Sequence, residues 1–407
     1  MSHHHENSAV PMSERRSPLT LGLIWITMVT FFPTVVAGFQ WFKAGISMPQ
    51  VIIGTICSCL ILIGLGYAEL NKRIFGPWSC VFLNFNVLWI FTAWYGVSAL
   101  LLAEGLQGLF HWQLSLTVLA SVLAVLMAVN NFFGFKGIAN FARYFAAPVL
   151  IGWVLYGFFK TLPGCPSQVL SEPGRVDLTQ AITVISTFVI GIGVWGNEAD
   201  YWRYGKPRWS MAVIPLCLAL VIGQILFPIT GWMLARMTGI TEYGAATEFL
   251  NQYSFGGIAI IGAVVLIASQ FAANDSNLFG SSLAMKALRS MTHKQAVAAL
   301  AFMGTLTAAW LACVGAVKAL ESIAALNCVF LPAPTIIVIS EIFLVRRWLC
   351  RNPGYEAGVI EESTNSAKQA ALVALICAIV VGVCTSGVLP ALASWRVGIC
   401  PLQCWLT

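Results

Sequence analysis

Charge is what this chain of 407 residues has least of: Asp, Glu, Lys and Arg make up 9% of it, where a soluble domain carries roughly 25%. That scarcity excludes a soluble enzyme, a nucleic-acid binder and a disordered chain, each of which needs charge for solvation or for its partner. Histidine is nearly as scarce. The five stand at positions 3, 4, 5, 111 and 293, in the tail or in expected loops, and no C-x-x-C occurs among the 12 cysteines. A metal site therefore has no support, and the cysteines read as small apolar residues. Regular alternation of apolar and polar residues is missing too, which removes a β-barrel.

What is present is apolar sequence, 58% of the chain. Cutting it at every charged residue leaves eleven long intervals: 17–42, 44–68, 74–103, 105–135, 144–159, 178–197, 209–235, 249–274, 295–317, 322–340 and 369–395. A bilayer core needs about 20 apolar residues of helix, with a lower limit of about 17. Only 144–159 falls short, and Arg143 and Lys160 can snorkel to its two interfaces. The expectation is an all-α polytopic membrane protein of about 11 spans. Residues 1–19 read as a disordered cytoplasmic tail, 20–388 as one membrane domain and 389–407 as a short C-terminal tail. The 26 charge-free residues of the first interval are spanning length with no small-residue cleavage site, so no removable signal peptide is expected.

With the N-terminus inside, sixteen of the 22 Lys and Arg residues fall on the cytoplasmic side and six outside. That bias orients the chain in the cytoplasmic membrane. The net charge of +6 is then a topology signal and not the mark of an anionic partner.

Two spans carry helix-breaking sequence. The first holds Pro33 and then Gly38-Phe39-Gln40; the sixth holds Ile190-Gly191-Ile192-Gly193-Val194-Trp195-Gly196. Proline removes a helical hydrogen bond, and each glycine costs about 1 kcal/mol of propensity. Spans five apart cross the membrane in opposite directions, so paired breaks there predict an inverted five-helix repeat, with unwound backbone near Gly38 and Gly191–Gly193 facing a substrate.

Ionisable residues inside spans are functional candidates by default. Asp275 stands out, in Ser269-Gln270-Phe271-Ala272-Ala273-Asn274-Asp275-Ser276-Asn277, either as a coupling or substrate site or as a brace between helices. Glu198, Asp200 and Glu341 lie beside basic residues and read as salt-bridged helix ends. In the third span, Trp89, Phe91, Trp94 and Tyr95 offer aromatic faces, and Trp94 lies within the span rather than at the interface, either packing plainly between helices or stacking a planar heterocycle.

Several segments resemble the bacterial cytosine and purine permeases of the nucleobase:cation symporter family. They are Thr30-Phe31-Phe32 with Ala44-Gly45-Ile46-Ser47, Trp94-Tyr95-Gly96-Val97, Phe132-Phe133-Gly134 with Ala147-Pro148, Ala199-Asp200-Tyr201-Trp202-Arg203-Tyr204-Gly205, Asn274-Asp275, and Pro332 to Glu341. The resemblance implies a base stacked on Trp94. By spacing it also implies contacts from Phe91, Ile190, Gly191 and Ser269, where relatives carry glutamine, serine, an aromatic residue and asparagine. A second stacking ring would come from Phe188 or Trp195. The family's sodium site implies two hydroxyls on the eighth span, where this chain has Ala272 and Ala273; that weakens sodium and favours either a proton, with Asp275 a candidate carrier, or uncoupled uptake. The family's twelfth span has no counterpart after the eleventh.

The sequence thus predicts a permease, not an enzyme. It is expected to carry cytosine or a related planar heterocycle inward by alternating access, with no cofactor beyond a coupling Na+ or H+. The substrate set is Trp94, Phe91, Gly38, Gln40, Ile190, Gly191, Gly193, Ser269 and Asn274, and the coupling set is Asp275, Ala272 and Ala273. An amino-acid or amine carrier of the same fold, or a relative that no longer transports, is the alternative.

Overall fold

A computed structural model describes residues 12, 15–67, 71–193, 198–206, 210–241, 243–349 and 363–385. The expectations for the tail 389–407, for most of 1–19 and for Trp195 lie outside them. Each charge-free interval contains helix, and no strand occurs among the described residues. The helices are α1 (Pro18–Val29), α2 (Phe32–Lys43), α3 (Met48–Tyr67), α4 (Asn71–Phe110), α5 (Leu116–Met127), α6 (Gly134–Phe141), α7 (Ala147–Thr161), α8 (Leu178–Gly193) and α9 (Glu198–Trp202). They continue as α10 (Ser210–Leu220), α11 (Phe227–Thr238), α12 (Tyr243–Phe255), α13 (Ala259–Leu288), α14 (His293–Leu311), α15 (Ala316–Phe330), α16 (Pro332–Ile339) and α17 (Asn365–Thr385).

The first span is broken. Ser17 caps α1 by accepting a hydrogen bond from Thr20 N at 3.2 Å, and Pro18 opens the helix, where its missing N–H costs nothing. At Thr30 (φ −110°, ψ 81°) and Phe31 (φ −132°, ψ 166°) the backbone leaves the helix, and α2 resumes at an angle of 51°. The break therefore precedes Pro33, which sits in the first turn of α2, and does not fall at Gly38. Proline suits a helix start and disfavours helix before it, so it sets the break on its own N-terminal side. Gly38 lies inside α2, where a Cβ would stand 2.0 Å from the carbonyl oxygen of Pro228 in α11.

In the sixth span α8 stays helical through Gly191 to Gly193, and α9 begins at Glu198. Gly191 permits close packing, since a Cβ there would meet the carbonyl oxygen of Ala324 at 2.8 Å. Two further boundaries differ from the charge map. The fourth span ends at Met127, followed by a 3-10 turn Val129–Phe133 and by Gly134 at φ 63°. The eighth span is α13, beginning at Ala259 after the separate helix α12, so Asp275 lies beyond its middle rather than near its end.

Packing carries the internal symmetry. α1 runs against α10 and α2 against α11, while α3 runs against α8; α4 and α13 form the most extensive pair. Exchanging each span with the one five places along converts the pairing of spans one and seven into that of six and two, and returns the pairing of three and eight to itself. An inverted five-helix repeat requires these pairings. The helices form an all-α bundle with the transporter fold of this repeat, and the broken first span lies in its core: Leu21, Ile24, Met28, Val29 and Val35 are all 0% exposed.

Candidate functional site

Breaking a helix leaves its last carbonyls and first N–H groups without helical partners, and in a bilayer these need partners from elsewhere. Side chains supply them. Gln224 Nε2 donates to the carbonyl oxygen of Val29 at 3.1 Å, at the end of α1. Ser269 Oγ accepts from Phe32 N at 3.2 Å, at the start of α2. Asn327 Nδ2 donates to the carbonyl oxygen of Gly191, in the last turn of α8.

Beside these ends lies a small cavity of about 20 Å3, room for roughly one water. Met28 and Phe31 line it from either side of the first break; Phe91, Trp94 and Ser98 line it from α4, Ile192 from α8, Ala273 and Asn277 from α13, and Asn327 from α15. Phe31 meets Trp94 edge to face, centroids 6.4 Å apart at 88°. The arrangement is three aromatic rings with three uncharged polar side chains, a lining suited to a flat neutral ligand.

Of the expected substrate residues, the structure brings Trp94 and Phe91 together here. Ile190 yields to Ile192, its neighbour two positions on, and the Gly191 carbonyl meets the cavity residue Asn327. Gly193 ends α8, where a Cβ would stand 2.5 Å from Leu62 Cδ1. Gln40 is remote, donating to the carbonyl oxygen of Thr241 at 3.0 Å. Ser269 is occupied in capping α2. Asn274 turns toward α5, its Nδ2 lying 3.0 Å from Met127 Sδ. The second ring against Trp94 is Phe31, while Phe188 packs on Trp41. Sequence reading missed Phe31, Ser98, Asn277 and Asn327. Asn277 carries a usable signal, standing four residues after Ala273 and so on the same helical face.

Asp275 does not line the cavity. It is 1% exposed, and its carboxylate accepts from Asn130 Nδ2 at 2.7 Å and Asn131 Nδ2 at 3.0 Å, both on the turn after α5. Asn131 is braced in turn by His293, whose Nε2 lies 2.8 Å from its carbonyl oxygen. Ala272 packs with Ala146 and Ala268, and Ala273 faces the cavity. Neither offers a side-chain oxygen, so the expected hydroxyl pair for sodium on the eighth span does not fit these residues.

The two ends of the bundle differ. At the end where the chain enters α1, Trp25 stacks on Trp202 (5.2 Å, 21°) and Phe135 on Tyr204 (3.8 Å, 7°), while Tyr201 meets Phe279. The motif around residues 199–205 thus builds an aromatic plug. At the other end a cavity of about 540 Å3 is lined by Phe32, Glu104, His111, Glu248, Asn251 and others. Phe31 and Phe32, adjacent in the break, face the small and the large cavity respectively.

No family model matches the chain, and no curated protein matches it. Solved structures do. A closed, bromovinylhydantoin-bound structure of Mhp1, a transporter of the nucleobase-cation-symport-1 family, aligns at TM-score 0.58 and 18% identity over 98% of this chain and 97% of its own. A substrate-bound, outward-open Na+-coupled sialic acid symporter aligns at TM-score 0.61 and 14% identity over 91% and 89%. A manganese transporter mutant from Eremococcus coleocola aligns at 0.57 and 13% over 100% and 94%. These likenesses establish the fold.

Proposed function

We propose that the chain is a secondary transporter of a neutral, planar heterocycle of the nucleobase kind, moved across the cytoplasmic membrane by alternating access. The observation that carries this reading is the cavity of Trp94, Phe31 and Phe91 with Ser98, Asn277 and Asn327, placed beside the break between α1 and α2 and the last turn of α8. By their names, one structural neighbour binds bromovinylhydantoin and the others transport sialic acid and manganese, so the fold alone does not choose. The lining does. Aromatic faces stack a heterocycle, and amide and hydroxyl groups read its edge. No lining residue is charged, which disfavours an amino acid or amine, whose ionic groups would need partners.

In the proposed cycle, substrate enters the large cavity from outside and passes Phe32 and Phe31 to Trp94. Release follows when the plug of Trp25, Trp202, Phe135 and Tyr204 parts on the cytoplasmic side. No bond is made or broken, so no enzymatic role is proposed. A proton-coupled cycle would use Asp275.

Uptake of radiolabelled cytosine, adenine, hypoxanthine, allantoin and hydantoin into cells lacking their own carriers is the test. Saturable uptake of one of these, competed by its unlabelled form and not by amino acids, is expected. A panel without any uptake overturns the reading.

A further inference from the structure

Adjacent residues of α15 serve two different spaces: Asn327 lines the small cavity beside Trp94, and Cys328 lines a larger one of about 340 Å3. That size falls within the roughly 300–1,000 Å3 of ligand pockets. Thr187 of α8, Ile337 of α16 and Ala378, Gly382 and Thr385 of α17 wall it with other residues of α15 and α16. α17 explains why the space is there. Leu375 and Ile379 join Val338 and Ile342 in one apolar cluster, but further along the helix the inward positions are the smaller Ala378, Gly382 and Thr385. At Gly382 the helix meets α15 again, since a Cβ there would stand 2.6 Å from Val329 Cγ1.

The polar side chains of this wall are already engaged. Thr187 Oγ1 donates to the Thr183 carbonyl at 2.9 Å, Thr385 Oγ1 to the Val381 carbonyl at 2.8 Å, and Cys328 Sγ to the Thr187 carbonyl at 2.8 Å. No lining residue is charged. Water needs about two to four polar partners to stay in such a space, and a polar solute needs them as much. On the outer side, Ile336 lines the space while being 51% exposed, and Val380 and Val381 of α17 face outward. The space therefore communicates with the bilayer.

We propose that it is a binding site for one hydrocarbon tail of a membrane phospholipid. Lipid is as apolar as leucine, so hydrophobic transfer does not hold the tail there. Packing does: interiors are close-packed, and a flexible tail supplies dispersion contacts that a rigid gap lacks. The placement suits an intact lipid. The 21 residues of α17 cover about 30 Å, the thickness of the hydrocarbon core, so Thr385 lies near a membrane face and Ala378 about 10 Å deeper. A headgroup at that face would leave its tail to pass Thr385 inward. The seated tail also braces α15, whose Asn327 and Cys328 donate to the carbonyls of Gly191 and Thr187, one turn apart on α8. A dependence of uptake on phospholipid would rest on the transport reading; binding of the tail does not.

The test uses the purified full-length protein, stripped of lipid by detergent washing and titrated with palmitoyl-oleoyl phosphatidylethanolamine in mixed micelles. Alkylation by N-ethylmaleimide is followed at Cys328 and, as the internal control, at the exposed Cys377 of α17, by peptide mass spectrometry. Native mass spectrometry counts bound phospholipid. Saturable slowing at Cys328 with little change at Cys377 is expected, together with one phospholipid that outlasts the others. Ala378→Phe, which fills the space, should weaken that binding about tenfold, whereas Val380→Phe on the outward face should leave it unchanged. A Cys328 rate unmoved by phospholipid in the wild type, whether fast or null, overturns the proposal without reference to any variant. Phospholipid retained in full by a folded Ala378→Phe, or lost equally in Val380→Phe, overturns it as well. Uptake of no heterocycle would refute the proposed cargo while leaving this site standing.

Discussion

Gly38 and Gly231 serve the same crossing from opposite sides: a Cβ on Gly38 would stand 2.0 Å from the Pro228 oxygen in α11, and one on Gly231 would stand 1.9 Å from the Val35 oxygen in α2. Both clashes are with backbone, which cannot rotate away as a flexible side chain would. Gly38→Ala gains about 1 kcal/mol of helix propensity but must push two buried helices apart, and overpacking costs about 1–3 kcal/mol or more. The clash should win, lowering the melting midpoint in detergent by several degrees. An unchanged midpoint would refute the crossing.

Trp94→Ala removes the largest flat face in the cavity. Stacking of a base on an aromatic side chain is worth about 1–3 kcal/mol, so apparent affinity for the transported heterocycle should fall roughly ten- to hundredfold. Trp94→Phe should keep part of it. Competition of labelled uptake by unlabelled substrate reads both variants, and full affinity in Trp94→Ala would exclude a stacking role.

Asp275→Asn replaces a pure acceptor with a group that also donates. The new amide would face Asn130 Nδ2 or Asn131 Nδ2 donor to donor, leaving buried hydrogens unpaired at about 1–3 kcal/mol. A lower melting midpoint is expected, with faster backbone hydrogen exchange confined to the turn Val129–Phe133 and the start of α6. Uniform exchange changes, or none, would argue against the brace. If Asp275 also carries a coupling proton, the pH dependence of uptake disappears in the same variant.

At the far end, Glu172 and Arg236 form an exposed ion pair, with Arg236 Nη2 and Nε donating to the two carboxylate oxygens at 2.9 and 3.3 Å. The hydrogen bond from Arg236 holds the Glu172 carboxyl below its ordinary range. A carboxylate depressed in the folded state adds stability that is present above the unfolded-state value and lost as pH falls through the folded one. The small advantage of wild type over Glu172→Gln should therefore be complete near neutral pH and vanish in acid. Melting curves of both proteins across that range decide it, and an advantage that grew on acidification would reverse the sign.

Spans, the break in the first of them and the position of Trp94 were legible in the sequence because each follows from a local rule: charge marks helix ends, proline marks a break, and a tryptophan far from any charge lies deep. The cavity's composition was not. Asn327 reaches it from α15, and a partner so distant in sequence leaves no local trace, whereas Ser98, four residues after Trp94 in α4, shares that residue's helical face. Glycine misled for a physical reason. Gly38 and Gly191 permit both unwinding and close helix contact, and only the neighbouring helices, α11 and α15, decide which. Asp275 was visible as an anomaly, but its partners Asn130 and Asn131 sat inside what looked like one continuous apolar interval.

α17 buries only Ala371, Leu375 and Ile379, one residue per turn on a narrow stripe. Its other faces present Val373, Ile376, Val380 and Val381 outward, each at least half exposed. Among the described residues little protein covers these faces, so in a bilayer acyl chains would solvate them, and the attachment of the helix would depend on the lateral pressure and thickness of the surrounding bilayer. Harsh short-chain detergents should detach α17 before they disturb the broken first span, so the choice of extraction medium determines whether the protein is isolated with its periphery intact.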